Sequence, residues 1–267
     1  MRLIALCLLL TTTSVYSATP VAPKAAPKAV QAQVLATAPD ATPAAPAPAP
    51  APSSSSSIAF EVRDPKTKEV YFTGNQKTSN DGKAVRKETL YFDTAQKQVQ
   101  KEIFAFEVSS LRALAYSSSN AMTGEVSMVK ATEALSVEIQ YRPSSEGKTG
   151  TNVVKSEKQA YLPNAAGDLI LQNWDNLLAG KAVKFELIIP QRLETIPFQL
   201  IKRESLTVDN EAREVFTLMP QNILIRMLAP HLEFQYDKNK KIRQAIYPSS
   251  LPINGSKDRI VEMVFKT

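Results

Sequence analysis

A chain of 267 residues with a formal net charge of +6, one cysteine and one histidine excludes a disulfide framework and any zinc site built from a Cys/His cluster. The positive balance is mild and scattered, which argues against nucleic acid as a partner.

The first 17 residues read as a signal peptide. Arg2 supplies a minimal positive region, Leu3 to Val15 form an apolar run, and Val15 and Ser17 are small enough for a signal peptidase site before Ala18. The run is shorter than the roughly 20 apolar residues of a membrane-spanning helix. No transmembrane segment is therefore expected after signal cleavage, with a retained N-terminal anchor as the alternative. Cys7 leaves with the leader, and losing Arg2 takes the charge from +6 to +5. Residues 18–57 are nearly all Ala, Pro, Ser and Thr. Such a segment buries too little apolar surface to offset its ordering entropy, so a disordered linker is expected there. Its prolines favour extended conformations, which suits a spacer.

From Ile58 onward the composition changes, and residues 58–267 are expected to form a single β-rich domain. Strands are predicted at Ile58–Arg63, Val70–Thr73, Glu88–Phe92 and Val99–Val108. The cleanest alternation is Leu135–Arg142, where Leu135, Val137, Ile139 and Tyr141 fall on one face of a pleat and Ser136, Glu138, Gln140 and Arg142 on the other. Phe185–Ile189, Ile196–Lys202 and Arg213–Met219 follow, then Leu232, Phe234 and Tyr236, and finally Val261, Met263 and Phe265. Asn80-Asp81-Gly82, Asp93–Lys97, Asp209-Asn210 and Asp237-Lys238-Asn239-Lys240 are turn signals, the last with Asn239 as the residue suited to a left-handed backbone. Hairpin-linked strands with few helices mean a mainly β fold, an antiparallel meander forming a partly open barrel or a sandwich.

One amphipathic helix is predicted at about 168–179. Asp168 can cap Leu169–Ala179, Ile170, Leu171, Trp174, Leu177 and Leu178 fall on one side, and Gly180 stands where a glycine ends a helix. Trp174, the only tryptophan, either anchors this helix on the sheet or stacks on a ligand. A shorter helical turn is expected over Gln221–Leu228, between Pro220 and Pro230.

Catalytic motifs are sparse. Gly147-Lys148-Thr149 follows a strand as a phosphate-binding loop would, but Arg142 occupies the position of the required first glycine. His231 would have to carry any triad alone, and Asp237-Lys238-Asn239 begins like a calcium loop without its central glycine. No metal ligands and no cofactor are assigned. The lysines at 238, 240 and 241 with Arg243 form either a solvated hairpin tip or a contact for an anionic head group.

Asn173-Trp174-Asp175-Asn176-Leu177-Leu178-Ala179-Gly180-Lys181, Phe185, Ile189-Pro190-Gln191-Arg192-Leu193-Glu194 and Phe198 together resemble a family of exported proteins of unknown function from Gram-negative bacteria. The likeness continues through Leu224–Leu228, Leu232 and Tyr236-Asp237, with an echo in Val62-Arg63-Asp64-Pro65. The resemblance implies a periplasmic or secreted β-rich domain with no established activity. Arg192 and Glu194 are read as a strand corner held by their own ion pair or as ligand-facing groups. With Trp174 they make up the candidate ligand-binding set. The first functional expectation is a non-enzymatic envelope module that binds a hydrophobic or anionic component, with lipid, glycan or another envelope protein as candidate partners. The alternatives are a hydrolase with carboxylates or a Ser/Lys pair, and a structural or protein-interaction domain.

Overall fold

The structure, a computed structural model, describes residues 54–266 except 134, 229, 230, 257 and 258. The signal peptide expected over 1–17, the linker expected over 18–57 as far as residue 53, and Pro230 lie outside the described residues. The first half of the domain is a run of strands: β1 (Ser54–Arg63), β2 (Val70–Asn80), β3 (Ala84–Phe92), β4 (Gln98–Glu107), β5 (Ala113–Asn120), β6 (Val126–Glu133), β7 (Ser136–Arg142) and β8 (Gly150–Lys155). The short β9 (Ala160–Tyr161) leads to α1 (Ala166–Gln172) and α2 (Trp174–Leu178). Then come β10 (Val183–Ile189), β11 (Glu194–Val208), β12 (Glu211–Pro220), α3 (Ile223–Leu228), β13 (Leu232–Asp237), β14 (Ile242–Pro248) and β15 (Ile260–Lys266).

All fifteen strands of the described residues join one sheet in the order β8-β7-β6-β5-β4-β3-β2-β1-β15-β14-β13-β12-β11-β10-β9. Two meanders are thus zipped together by β1 and β15, with Val62 opposite Met263. Every pairing is antiparallel except β9 with β10. The sheet is not closed, because β8 and β9 remain as edges. Across the opening, the side-chain amide of Asn152 on β8 donates to the Leu193 carbonyl at 2.9 Å.

Period-2 alternation decides which way each strand faces. Phe104 and Phe106 on β4, Val129 on β6, Ile139 on β7, Phe185 and Leu187 on β10, and Phe216 and Leu218 on β12 pack with α1 and α2 in one cluster. Strands that far apart in the sheet share a core only if the sheet curls around the helices. Register shifts at Tyr91/Phe92 and Lys202/Glu204 add local bend and twist to the strands. A second cluster gathers Phe60, Val62, Phe72, Tyr91, Val99, Val261 and Met263 around the β1–β15 seam. Gly74 lets β2 approach this seam. A Cβ at that position would lie 2.3 Å from the Phe60 ring and 2.4 Å from the Leu90 carbonyl oxygen.

Several expectations need correction. β1 begins at Ser54, so Ser54–Ser57 belong to the sheet rather than to the linker: they pair in register with Lys77–Asn80 of β2. The predicted helix is two short ones. Asn173 (φ −109, ψ 18) interrupts it, and its side-chain amide donates to the Leu169 carbonyl. Asp168 caps nothing; it lies in the first turn of α1 and pairs with Lys87. Leu169, Ile170, Trp174 and Leu177 are buried, whereas Leu171 and Leu178 face solvent at 42% and 40% exposure. Gly180 does end the helix. Its φ is +76, with Gly180 N donating to Leu177 O and Lys181 N to Asn176 O, the paired bonds of a glycine stop.

In the β13–β14 turn the left-handed residue is Lys240 (φ 59), not Asn239. Asp237 sets that turn by accepting the Asn239 and Lys241 amides at 2.8 and 2.9 Å. The same use of an aspartate occurs at Asp64, Asp81 and Asp93. A short polar side chain that satisfies two turn amides makes the turn without demanding glycine. The edge of the turn at Asp209 and Asn210 has both residues at positive φ, the mirror-image hairpin form expected of that pair.

Candidate functional site

The interior is occupied by the protein's own side chains. Trp174, 6% exposed, packs on Phe216 (centroids 5.1 Å apart) and edge-on to Tyr236 (5.7 Å). The Lys240 ammonium lies 5.4 Å above its ring. The indole is therefore sandwiched between the sheet wall and the β13–β14 hairpin. Polar contacts fix the helices in the same place: Lys87 Nζ meets Asp168 Oδ2 at 2.5 Å, the Tyr236 hydroxyl donates to the Gly167 carbonyl at 3.4 Å, and the Gln172 amide donates to the Ser109 carbonyl at 3.2 Å. Burying Leu169, Ile170 and Leu177 alone contributes roughly 1.5–3 kcal/mol each. These helices are part of the core.

Arg192 and Glu194 form an ion pair at the corner between β10 and β11, with Leu193 between them in the left-handed region (φ 56). Both side chains are largely exposed, at 58% and 43%. Their corner lies against β6 and β7 and bridges toward β8 through Leu193, whereas the ring partners of Trp174 come from β12, β13 and the β13–β14 turn. Arg192 and Glu194 thus share one corner, and Trp174 lies in separate surroundings.

One half-buried group was missed by sequence reading. Glu102 lies on β4 between Val99 of the seam cluster and Phe104 of the helix cluster. Its carboxylate accepts from Gln100 Nε2 at 2.8 Å and from Asn164 Nδ2 at 3.1 Å. Asn164 belongs to the 3-10 turn Pro163–Ala165 that leads into α1, so Glu102 ties the wall to the entry of the helices. Burial raises its pKa, and the two amide bonds only partly offset that. Tyr91, Tyr116 and Tyr247 are likewise raised, first by burial and then by the nearby charge of Glu102. The signal was present in the sequence: Glu102 shares strand parity with Phe104 and Phe106.

On the outer face, charges neutralise one another in place. Glu262, 1% exposed, receives Arg63 at 2.5 Å, Lys68 at 2.9 Å and Gln244 at 2.7 Å. Asp64 accepts the Lys66 and Thr67 amides, the Tyr71 hydroxyl and Arg259, and its pKa falls well below the carboxylate range, chiefly through the backbone bonds. Asp237 and Glu211 both meet Arg243. His231 is exposed between α3 and β13. α3 turns large apolar side chains outward at Ile223, Leu224, Ile225 and Met227. Among the described residues, no three His, Cys, Asp or Glu side chains come together to hold a metal ion.

Two hollows are modest in size. One of about 150 Å³ lies against β6 and β7, lined by Val126, Met128, Gln140, Tyr141, Arg142 and Thr149. The other, about 10 Å³, lies near Ala113, Val137 and Ser156. Pockets for small organic ligands are usually about 300–1,000 Å³.

No family model matches the chain, and no curated protein does. Among solved structures it is similar to a beta-barrel-like protein of the domain of unknown function DUF1849 from Brucella abortus, at 12% identity and a TM-score of 0.45, covering 81% of this chain and 95% of that one. It is also similar to a DUF1329 family protein from Desulfovibrio piger, at 9% identity and a TM-score of 0.24, covering 80% and 83%. The fold of the described residues is mainly β, one mostly antiparallel sheet that is not closed. No helix of the described residues is long and apolar enough to cross a membrane.

Proposed function

We propose that this protein is an exported, non-enzymatic module of the Gram-negative envelope that contacts another envelope component with its surface rather than in an interior cavity. The observation that carries the reading is the filled interior: α1 and α2 occupy the space inside the curled sheet, with Trp174 only 6% exposed. The N-terminal apolar run with small residues at 15 and 17 supports export, and the Ala/Pro-rich stretch after it supports a spacer role. Against a hydrolytic centre, the one carboxyl whose pKa burial raises among the described residues, Glu102, accepts from two side-chain amides. A paired acid and base would instead have their pKa values pushed apart.

The test is fractionation of the producing cells followed by native mass spectrometry of the chain recovered without detergent. The expected result is recovery from the periplasm at the mass of the bare chain lacking residues 1–17. Recovery from the cytoplasm would overturn the export reading. A stoichiometric small-molecule adduct would overturn the filled-interior reading.

A further inference from the structure

We propose that the end of the sheet closed by α1 and α2 is a docking surface for a bilayer rich in anionic phospholipid. This rests on the surface-contact reading above and names its partner. Contacts gather the surface from separate parts of the chain. The Val108 amide donates to the Lys83 carbonyl at 3.0 Å, joining the β4–β5 loop to the β2–β3 turn. The Gln172 side chain joins α1 to Ser109 of the same loop, and Lys240 over Trp174 joins the β13–β14 hairpin to α2.

Aliphatic and cationic side chains therefore emerge together. Val108, Leu171 and Leu178 are 38%, 42% and 40% exposed. Leu169, Ile170, Trp174 and Leu177 already fill the inward side of the helices, so the outward leucines do no work in the core. Around them Lys83, Lys238, Lys240 and Lys241 are all exposed. The nearby acids are mostly engaged: Asp81 with the Lys83 and Ala84 amides, Asp168 with Lys87, and Asp237 and Glu211 with Arg243. Asp175 and Asp209 are exposed at this end and subtract from the positive field.

Lysines flanking exposed aliphatics are the chemistry of an interfacial contact, in which the apolar groups enter the headgroup boundary and the cations meet lipid phosphates. A second copy of the chain fits worse, because a two-fold contact here would set lysine against lysine.

The experiment is cosedimentation of the exported chain, lacking residues 1–17, with vesicles of phosphatidylcholine alone, or containing about one-third phosphatidylglycerol. The wild type is compared with K238Q/K240Q/K241Q and with L171S/L178S, all sharing one N-terminus. At low salt the wild type is expected to prefer the anionic vesicles. The triple lysine variant is expected to lose about 100-fold in partitioning, at roughly fivefold per lysine, and the leucine variant about tenfold. Because Lys240 also covers Trp174, K238Q/K241Q serves as the control for folding. It should lose about 25-fold with unchanged tryptophan emission. Equal partitioning of the wild type and the lysine variants, or no preference of the wild type for anionic vesicles, would overturn the lipid surface while leaving the filled-module reading intact. A bound small molecule in the native mass spectrum would overturn that reading and not the lipid surface.

Discussion

Replacing Trp174 by alanine tests whether the indole belongs to the core or to a binding surface. The ring is 6% exposed and wedged against Phe216 and Tyr236. A buried tryptophan removes up to about 250 Å² from water, of which alanine would retain about a quarter. At roughly 25 cal/mol/Å² the lost burial is worth about 4–5 kcal/mol, an upper bound because the unfolded chain already shields part of that surface. Large-to-small tryptophan substitutions in cores cost about 3–5 kcal/mol, so W174A should cost about 4 kcal/mol. With a urea slope of about 2 kcal/mol/M, the unfolding midpoint should fall by about 2 M. The variant lacks the only tryptophan, so the assay is urea unfolding followed by far-UV circular dichroism. A cost below about 1 kcal/mol would refute the reasoning and return the ring to a ligand-stacking role.

Two further outcomes follow from single contacts. G74A should destabilise by about 2–3 kcal/mol, because the new methyl would meet both the Phe60 ring and the Leu90 carbonyl, and a backbone oxygen cannot rotate away; an effect within about 0.5 kcal/mol in the same unfolding assay would show that the β2 backbone moves freely. E102Q should change how stability depends on pH. Burial holds the folded pKa of Glu102 above its unfolded value, so its contribution is fully present below the unfolded pKa and is lost as pH rises through the folded one. The variant should gain stability over wild type as pH climbs through that window, and parallel stability curves for the two proteins would contradict the buried placement of the carboxyl.

Local chemistry settled much of the fold before any tertiary contact was known. The alternation in β7, the β13–β14 hairpin begun by Asp237, the Asp209-Asn210 turn and the helix stop at Gly180 each depend on residues within one turn or one pleat. β5 and β8 were invisible for the same reason. Ala113–Asn120 runs into Ser117-Ser118-Ser119-Asn120, and Gly150–Lys155 is a mostly exposed edge, so neither shows a sustained apolar face. They are strands because β4, β6 and β7 supply their hydrogen bonds. The break at Asn173 was likewise hidden, since leucines at 171 and 178 fit an unbroken helix as well as a broken one. Trp174, Arg192 and Glu194 were conspicuous by residue type, but whether they meet depends on strand order. The pairing of β1 with β15 brings together residues some two hundred positions apart and joins the two meanders into one sheet. Period and turn were legible because neighbours along the chain set them. The packing of Trp174 on the sheet, the amides that hold Glu102, and the meeting of lysines from two hairpins with leucines from α1 and α2 depend on contacts between distant segments, which no local pattern encodes.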